Sequence, residues 1–424
     1  MRFCFVHAAD LHLDTPFSGI GKVDPDIAGA LQEASLQAFD ALVELAIART
    51  AKFVLFSGDI YDGPERGVRA QLRFLSGLRR LDEASIRSFI VHGNHDPLLT
   101  GWSAMRGGWP RLVTQFGHHE VGQVPVEQDG ETIATVCGIS FAQRNEMANL
   151  ALRFDSGSAD GLRVAMLHCN VGGIREHDPY APCSLEDLIG SGFDYWALGH
   201  IHRRRILREG DPWIVYPGNL QGRSPRTEEL GPKGALVVEV NDRDINPPEF
   251  VPLDRVRFAR IDLDATELPD LPVLQEGLLG EARALQVASE GRPLLLRASV
   301  TGRSPLHRDL VREGAVDGLL QVLRDEVSGT EPFLWWDEVE DRTLPERDLD
   351  KVRKGKDFAA ELLSVADELK GADASRQAFA EKYLAELPAG ELKALGVELP
   401  PSPGPADLDE AAVLALDVLG GEER

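Results

Sequence analysis

Cysteine is scarce in this chain: four residues in 424, Cys4, Cys137, Cys169 and Cys183, with no pair in C-x-x-C spacing. This excludes a disulfide scaffold and fits reduced thiols in a cytosolic protein. The N-terminus lacks the basic, apolar and small-residue series of a leader and enters directly into Phe3-Cys4-Phe5-Val6. No apolar run approaches the roughly 20 residues of a membrane span. The expectation is a soluble cytoplasmic protein that does not engage a membrane. Positive charge is also short, with 45 Lys and Arg against 69 Asp and Glu, a net charge of −24. Taken alone, this opposes non-specific nucleic-acid binding, which needs basic surface. The deficit is uneven, however. From Leu334 onward 22 acidic residues stand against 11 basic ones, whereas residues 203–233 carry seven basic and four acidic residues.

Internal repeats and long low-complexity segments are absent too. What is present is a series of short apolar runs that each end in Asp, Asn or His. Phe3-Cys4-Phe5-Val6 leads to Asp10-x-His12, Phe53-Val54-Leu55-Phe56 to Gly58-Asp59, and Phe89-Ile90-Val91 to His92-Gly93-Asn94-His95-Asp96. Val164-Ala165-Met166-Leu167 leads to His168, and Tyr195-Trp196-Ala197-Leu198 to Gly199-His200-x-His202. Such runs read as buried strands. Residues 34–50 and 69–81 have helical spacing between the early ones. Alternation of strand and helix predicts an α/β layered sheet, with its polar clusters converging beyond the strand ends. Residues 205–208, 213–216, 235–240 and 250–253 read as further strands and are expected to form the second sheet of a sandwich. The expected domains are 1–255, a small α+β unit at 256–345, and a helical region at 346–424. In the second, helices are expected at 273–288 and 305–323. In the third, an apolar face over 349–369 has no evident cover, residues 400–405 are a Pro-rich linker, and 408–419 form a last helix.

The clusters supply two carboxylates (Asp10, Asp59), one amide (Asn94) and four imidazoles (His12, His168, His200, His202). Mixed oxygen and nitrogen donors without thiolate suit manganese, iron or zinc. Seven donors exceed one small cation but can hold two when a carboxylate bridges them. Two such metals activate a water and steady a phosphate for in-line displacement. In an extended chain Asn94 and His95 cannot face the same metal, so His95 reads as a general acid or a phosphoryl-oxygen donor. Asp96 is then expected to orient its ring. His7 and His92 read as structural histidines, His118, His119, His177 and His307 as surface ones. Asp14 and Asp62 read as supporting partners of the ligands or as turn formers. Trp335 and Trp336 read as core.

D-x-H, G-D-x-x-D, G-N-H-D, a lone His and G-H-x-H, in this order, resemble the signature of the calcineurin-like metallophosphoesterases. HAADLHLDTPF, SGDIYDG, HGNHDP, GHIH and YPGNLQGR are similar to the SbcD/Mre-type DNA repair nucleases, and most similar to the bacterial YhaO-type exonucleases. The resemblance implies a two-layer β-sandwich flanked by helices, a small α+β capping domain and a helical C-terminal tail. It implies two divalent metals, Mn2+, one held by Asp10, His12, Asp59 and His202, the other by Asp59, Asn94, His168 and His200. His95 would be the catalytic histidine. It implies DNA as substrate and docking of the tail on an SbcC-like or Rad50-like coiled-coil ATPase; a homodimer is the other use of that tail. One branch of the family has His where this chain has Asp62, so that branch's phosphate contact is not carried over. The rival readings are a metallophosphodiesterase or phosphatase acting on small molecules or phosphoproteins, and a scaffold with a degenerate site.

Overall fold

The computed structural model describes residues 2–13, 25–63, 67–99, 108–157, 160–173, 178–346, 349–371, 376–379, 382 and 404–420. Asp14, His177 and residues 400–403 of the linker lie outside them. Contacts group the chain into two units, Met1–Leu344 and Pro345–Arg424.

Alternation along the first strands sets the layers of the first unit. Strand β1 (Arg2–Ala8) sends Phe3 and Phe5 to one face, and Val6 and Ala8 to the other. Helices α1 (Pro25–Ala48) and α2 (Val68–Glu83) cover the second face with Phe39, Leu42, Phe74 and Leu78. Strands β2 (Phe53–Ser57), β3 (Arg87–Val91) and β4 (Val113–Gln115) continue the sheet, each parallel to its neighbour. The second sheet holds β5 (Gly122–Gln128), β6 (Glu131–Gly138), β7 (Leu162–His168), β8 (Tyr195–Gly199), β9 (Arg205–Arg208) and β10 (Trp213–Tyr216). Its inner face brings Val164, Met166, Tyr195 and Val215 against Phe5, Phe53 and Phe89. Its outer face is covered by Phe141, Leu150, Phe154 and Leu188. Covered on both sides, β2 and β8 are buried at every residue, which is why they read as unbroken apolar runs. Full burial of a Phe or Leu in this way contributes about 1.5–3 kcal/mol each.

The strands expected at 235–240 and 250–253 belong elsewhere than the sequence suggests, and a short third joins them. Strand β11 (Gly234–Asn241) pairs antiparallel with β1, Phe3 opposite Val240, and the short β12 (Asp244–Ile245) and β13 (Glu249–Pro252) pair with β11. These strands complete the first sheet, not the second. The reason is packing: Leu236, Val238 and Val240 enter the inter-sheet core while Ala235 and Val237 face the helices. A strand apolar on both faces needs an interior position, and the free side of β1 supplies one. The β5–β6 hairpin also escapes a reading by apolar runs. Its turn, Asp129 and Gly130, has φ of 55° and 83°, the backbone a two-residue type I′ turn requires.

Within the same unit, strands Arg257–Asp264, Leu294–Thr301 and Leu334–Asp341 form a three-stranded parallel sheet. Helices Leu271–Ala288 and Ala315–Glu326 pack on it around Leu278, Leu323 and Trp336. The helix expected over 305–323 is split by Gly314 at φ 76°. Phe258 and Leu295 pack on Ile27 and Leu31 of α1. Trp336 is core, and Trp335 lies under the Arg324 guanidinium, 4.5 Å from its ring centre.

In the second unit the long helix is interrupted after Leu349–Arg353 and resumes at Phe358–Gly371, where Asp357 accepts the Ala360 N–H at 3.0 Å. Its apolar face has a cover after all: Val352, Leu362, Leu363 and Ala366 pack with Ala412 and Leu416 of helix Pro405–Gly420. Among the described residues no helix is long and apolar enough to cross a membrane.

Candidate metal centre

The loops that follow β1 and β2 are zipped together. Asp10 N–H donates to the Gly58 carbonyl at 3.0 Å, His12 N–H to Asp59 at 3.1 Å and Leu13 N–H to Ile60 at 3.0 Å. To turn so sharply, Asp10, His12 and Asp59 adopt φ of 52°, 45° and 49°, and His200 one of 104°. Side-chain-bearing residues rarely occupy this region, and where they do the strain marks functional loops. Glycine is needed where the loops close. A methyl group on Gly93 would lie 2.6 Å from His168 Nε2, and one on Gly58 would overlap the same ring.

The seven residues expected as ligands form one contiguous cluster. Both oxygens of the buried Asp10 carboxylate accept the His200 N–H, at 3.0 and 3.1 Å. Asp59 Oδ1 accepts the His95 N–H at 3.0 Å. Its Oδ2 lies 3.4 Å from His168 Nε2 and 3.9 Å from His12 Nε2, between the two sides of the cluster. Asp10 also touches both sides, grouping with His12 and His202 and with Asp59 and His168. The His200 ring stands 5.2 Å from that of His168, and its Nε2 donates to the Asp178 carbonyl at 2.8 Å.

Two contacts test whether this set suits a cation. His168 Nδ1 donates to the Ser57 carbonyl at 3.0 Å, which leaves its Nε2 to face Asn94 Oδ1 at 3.0 Å. His202 Nδ1 donates to Glu229 at 2.8 Å, and its Nε2 faces His12 Nε2 at 3.2 Å. Each place needs a proton or a cation between its two atoms, and both pairs are donor sets that a metal can use. Hydrogen bonds that fix the tautomer of a ligating histidine are the usual support of a metal site. The electrostatics agree. Burial resists charge on Asp59, but the His168 imidazole outweighs it and holds the carboxyl well below its usual range. Burial likewise opposes the cation on His168, but the Asp59 charge prevails and pushes the ring up to about 9. A buried site that demands positive charge this strongly fits a divalent metal.

Residues 4–204 match the calcineurin-like phosphoesterase family, and 258–344 match the middle domain of the metallophosphoesterase YhaO. The chain is 32% identical over 345 residues to the uncharacterized metallophosphoesterase YhaO of Bacillus subtilis, covering 81% of this chain and 83% of that one. The chain belongs to the calcineurin-like metallophosphoesterases. It is therefore a hydrolase of phosphoesters that works with divalent metal. More distant is the DNA double-strand break repair protein Mre11 of Methanocaldococcus jannaschii, 26% identical over 61% of this chain and 69% of that one. A dimetal phosphatase from Danio rerio overlaps 59% of this chain and 97% of its own at 14% identity, with a TM-score of 0.35.

In this metallophosphoesterase His95 stands apart from the expected ligands. Its side chain is 28% exposed, while those of His12 and His168 are fully buried. Its Nδ1 donates to the Asp62 carbonyl at 3.0 Å and lies 3.2 Å from Asp62 Oδ1. Burial opposes its charge, but the hydrogen bond to Asp62 and the charge of Asp59 push it up to about 9. Asp96, expected to orient this ring, does not. The chain bends back after Gly93, so that Asp96 accepts the N–H of Gly93 and of Ile60, both at 3.0 Å, and His92 Nδ1 at 2.9 Å. Asp96 is thus a buried brace of the loop. His7, also structural, accepts from the Tyr195 hydroxyl at 3.1 Å and donates to the Leu198 carbonyl at 3.2 Å, and burial pushes it down to about 3.

The sequence gives no role to two further contributors, Arg223 and Glu229, and leaves Asp62 between a supporting partner and a turn former. Asp62 is the partner of His95 and lies 3.1 Å from Nδ1 of His12, whose ring burial pushes down to about 3. Arg223 Nη1 donates to Asp62 at 3.0 Å. Glu229 supports His202, and its buried carboxyl is held far below the usual range by that imidazole despite desolvation. The G-D-x-x-D spacing signalled Asp62 and YPGNLQGR contained Arg223, but nothing signalled Glu229.

Proposed function

We propose that this metallophosphoesterase is a manganese-dependent DNA nuclease with two metal ions in its site. The observation that carries the reading is the intact cluster, seven ligands with His95 at its open edge, in a chain similar over 61% of its length to the Mre11 DNA repair protein named above. Asp10, His12, Asp59 and His202 would hold one ion, and Asp59, Asn94, His168 and His200 the other. When bound, they would activate the attacking water and steady the phosphate. The chain's own residues do the rest. His95, held through Nδ1 by Asp62, presents Nε2 to the scissile phosphate. As the attacking oxygen bonds to phosphorus and the P–O bond to the sugar breaks, the Nε2 proton passes to the departing oxygen. Water leaves its own proton to solvent, and His95 is reprotonated for the next cycle. Exposed Arg203, Arg204 and Arg226 supply positive charge on the segment that follows the ligand His202. The rival, a small-molecule phosphodiesterase, is favoured by the net charge of −24.

Digestion of end-labelled duplex and single-stranded DNA with manganese, beside a small phosphodiester, decides between them. The nuclease reading requires DNA to be cleaved with the higher kcat/KM. Cleavage of the small ester alone would refute it.

The tail supports a partner. Phe358, Val365 and Leu414 are 64%, 50% and 53% exposed although the helices that carry them already pack together. Such side chains suit docking on an SbcC-like or Rad50-like coiled-coil ATPase. Deleting residues 347–424 should abolish capture of that ATPase and leave manganese-dependent cleavage of simple DNA within about twofold. Undiminished capture by the shortened chain contradicts the docking role.

A further inference from the structure

Asp62 and Glu229 come from distant parts of the chain, yet each supports imidazoles of the same site. Asp62 meets His95 and His12; Glu229 meets His202. Arg223 lies between them. Its Nη1 donates to Asp62 Oδ1 at 3.0 Å, its Nε is 3.8 Å from Glu229 Oε1, and its backbone N–H donates to Glu229 Oε2 at 3.2 Å. The side chain is 14% exposed. A largely buried guanidinium between two carboxylates is a rigid fork, which a lysine cannot replace.

The two carboxylates do not depend on it equally. Glu229 also accepts from Asn219 Nδ2 at 2.6 Å and from His202 Nδ1 at 2.8 Å, so it is anchored without the guanidinium. Asp62 is 28% exposed, near the end of the loop after β2, and its Oδ1 must face His95, His12 and Arg223 together. Loss of the guanidinium therefore falls chiefly on Asp62 and, through it, on His95.

We propose that Arg223 is a positioning residue for phosphoester cleavage: it fixes the Asp62 carboxylate against His95 and so sets the direction in which His95 delivers its proton. The inference rests on His95 as the acid and not on DNA as the substrate. Partners at this remove from the reacting atoms typically cost about 10–100-fold when lost.

The test uses the full-length chain with saturating manganese and a series of aryl phosphodiesters whose leaving phenols differ in acidity. Wild type, Arg223→Gln, Arg223→Lys, His95→Asn and the Arg223→Gln/His95→Asn double variant are compared, with thermal midpoint and bound manganese measured for each. Arg223→Gln should lower kcat about 10–100-fold on the poorest leaving groups and much less on the best, with KM and bound manganese near wild type. Arg223→Lys should recover little of the loss. The double variant should be no slower than His95→Asn alone, because both changes remove one function.

Additive losses, full recovery by Arg223→Lys, or a loss equal on all leaving groups would overturn the inference. So would loss of manganese, which would assign Arg223 to metal retention through Glu229. If Arg223→Gln does not fold, the same leaving-group series on Arg223→Lys decides. A His95→Asn variant whose loss is independent of the leaving group would refute the acid role itself, and the inference with it. A His95→Asn variant that behaves as expected beside an indifferent Arg223→Gln refutes only the inference.

Discussion

Asp59→Ala should empty the site of both metals and reduce phosphodiester hydrolysis by about 10³-fold or more. A metal's stabilisation of developing charge is worth several kcal/mol, and each 1.36 kcal/mol is roughly tenfold in rate. Asp59 is the carboxylate whose single oxygen looks toward a histidine on each side, His168 Nε2 at 3.4 Å and His12 Nε2 at 3.9 Å. Asp10 also neighbours both sides, but both its oxygens already accept the His200 N–H. Asp10→Ala and His200→Ala should therefore each lower occupancy chiefly at one position. Metal content by mass spectrometry separates the cases. Unchanged stoichiometry in Asp59→Ala, or complete loss in Asp10→Ala with retention in Asp59→Ala, would transfer the bridging role.

His95→Asn should separate metal retention from turnover. The ring contributes to the edge of the cluster, 5.1 Å from the His12 ring, without closing it. Asparagine keeps polarity there and cannot deliver a proton. Loss of a general acid is worth about 10²–10⁴-fold. A nitrophenyl ester, whose leaving group needs little protonation, should lose less than DNA does. The ratio of the two losses, at saturating manganese, is the informative quantity. Equal losses would make His95 a stabiliser of phosphoryl charge, and release of metal would make it a ligand.

The site was more legible than the sheets that carry it. Strands buried on both faces write themselves as apolar runs, and Asp10, His12, Asp59, Asn94, His95, His168, His200 and His202 all stand just beyond such runs. The membership of β11 was not legible, because which sheet receives a strand apolar on both faces depends on a vacancy beside β1 that only the fold creates. Asp96 misled for a related reason. Adjacency to His95 in the chain suggested contact, but the bend after Gly93 points its carboxylate back at Gly93 N–H and His92. The true partner of His95 is Asp62, 33 residues earlier, brought there by the parallel pairing of β2 and β3. Glu229 was invisible since its role comes from a contact with His202 across an intervening pair of strands. The cover on the tail's apolar face was hidden by distance, with Ala412 and Leu416 lying some way along the chain from Leu363 and Ala366.

The most direct measurement strips the full-length protein of metal, adds manganese in steps, and counts bound manganese per chain while following phosphodiester cleavage in the same samples. Cleavage should rise steeply only as the second ion binds and reach its plateau at two per chain. Full cleavage at one ion per chain, or without any, would contradict the two-metal site.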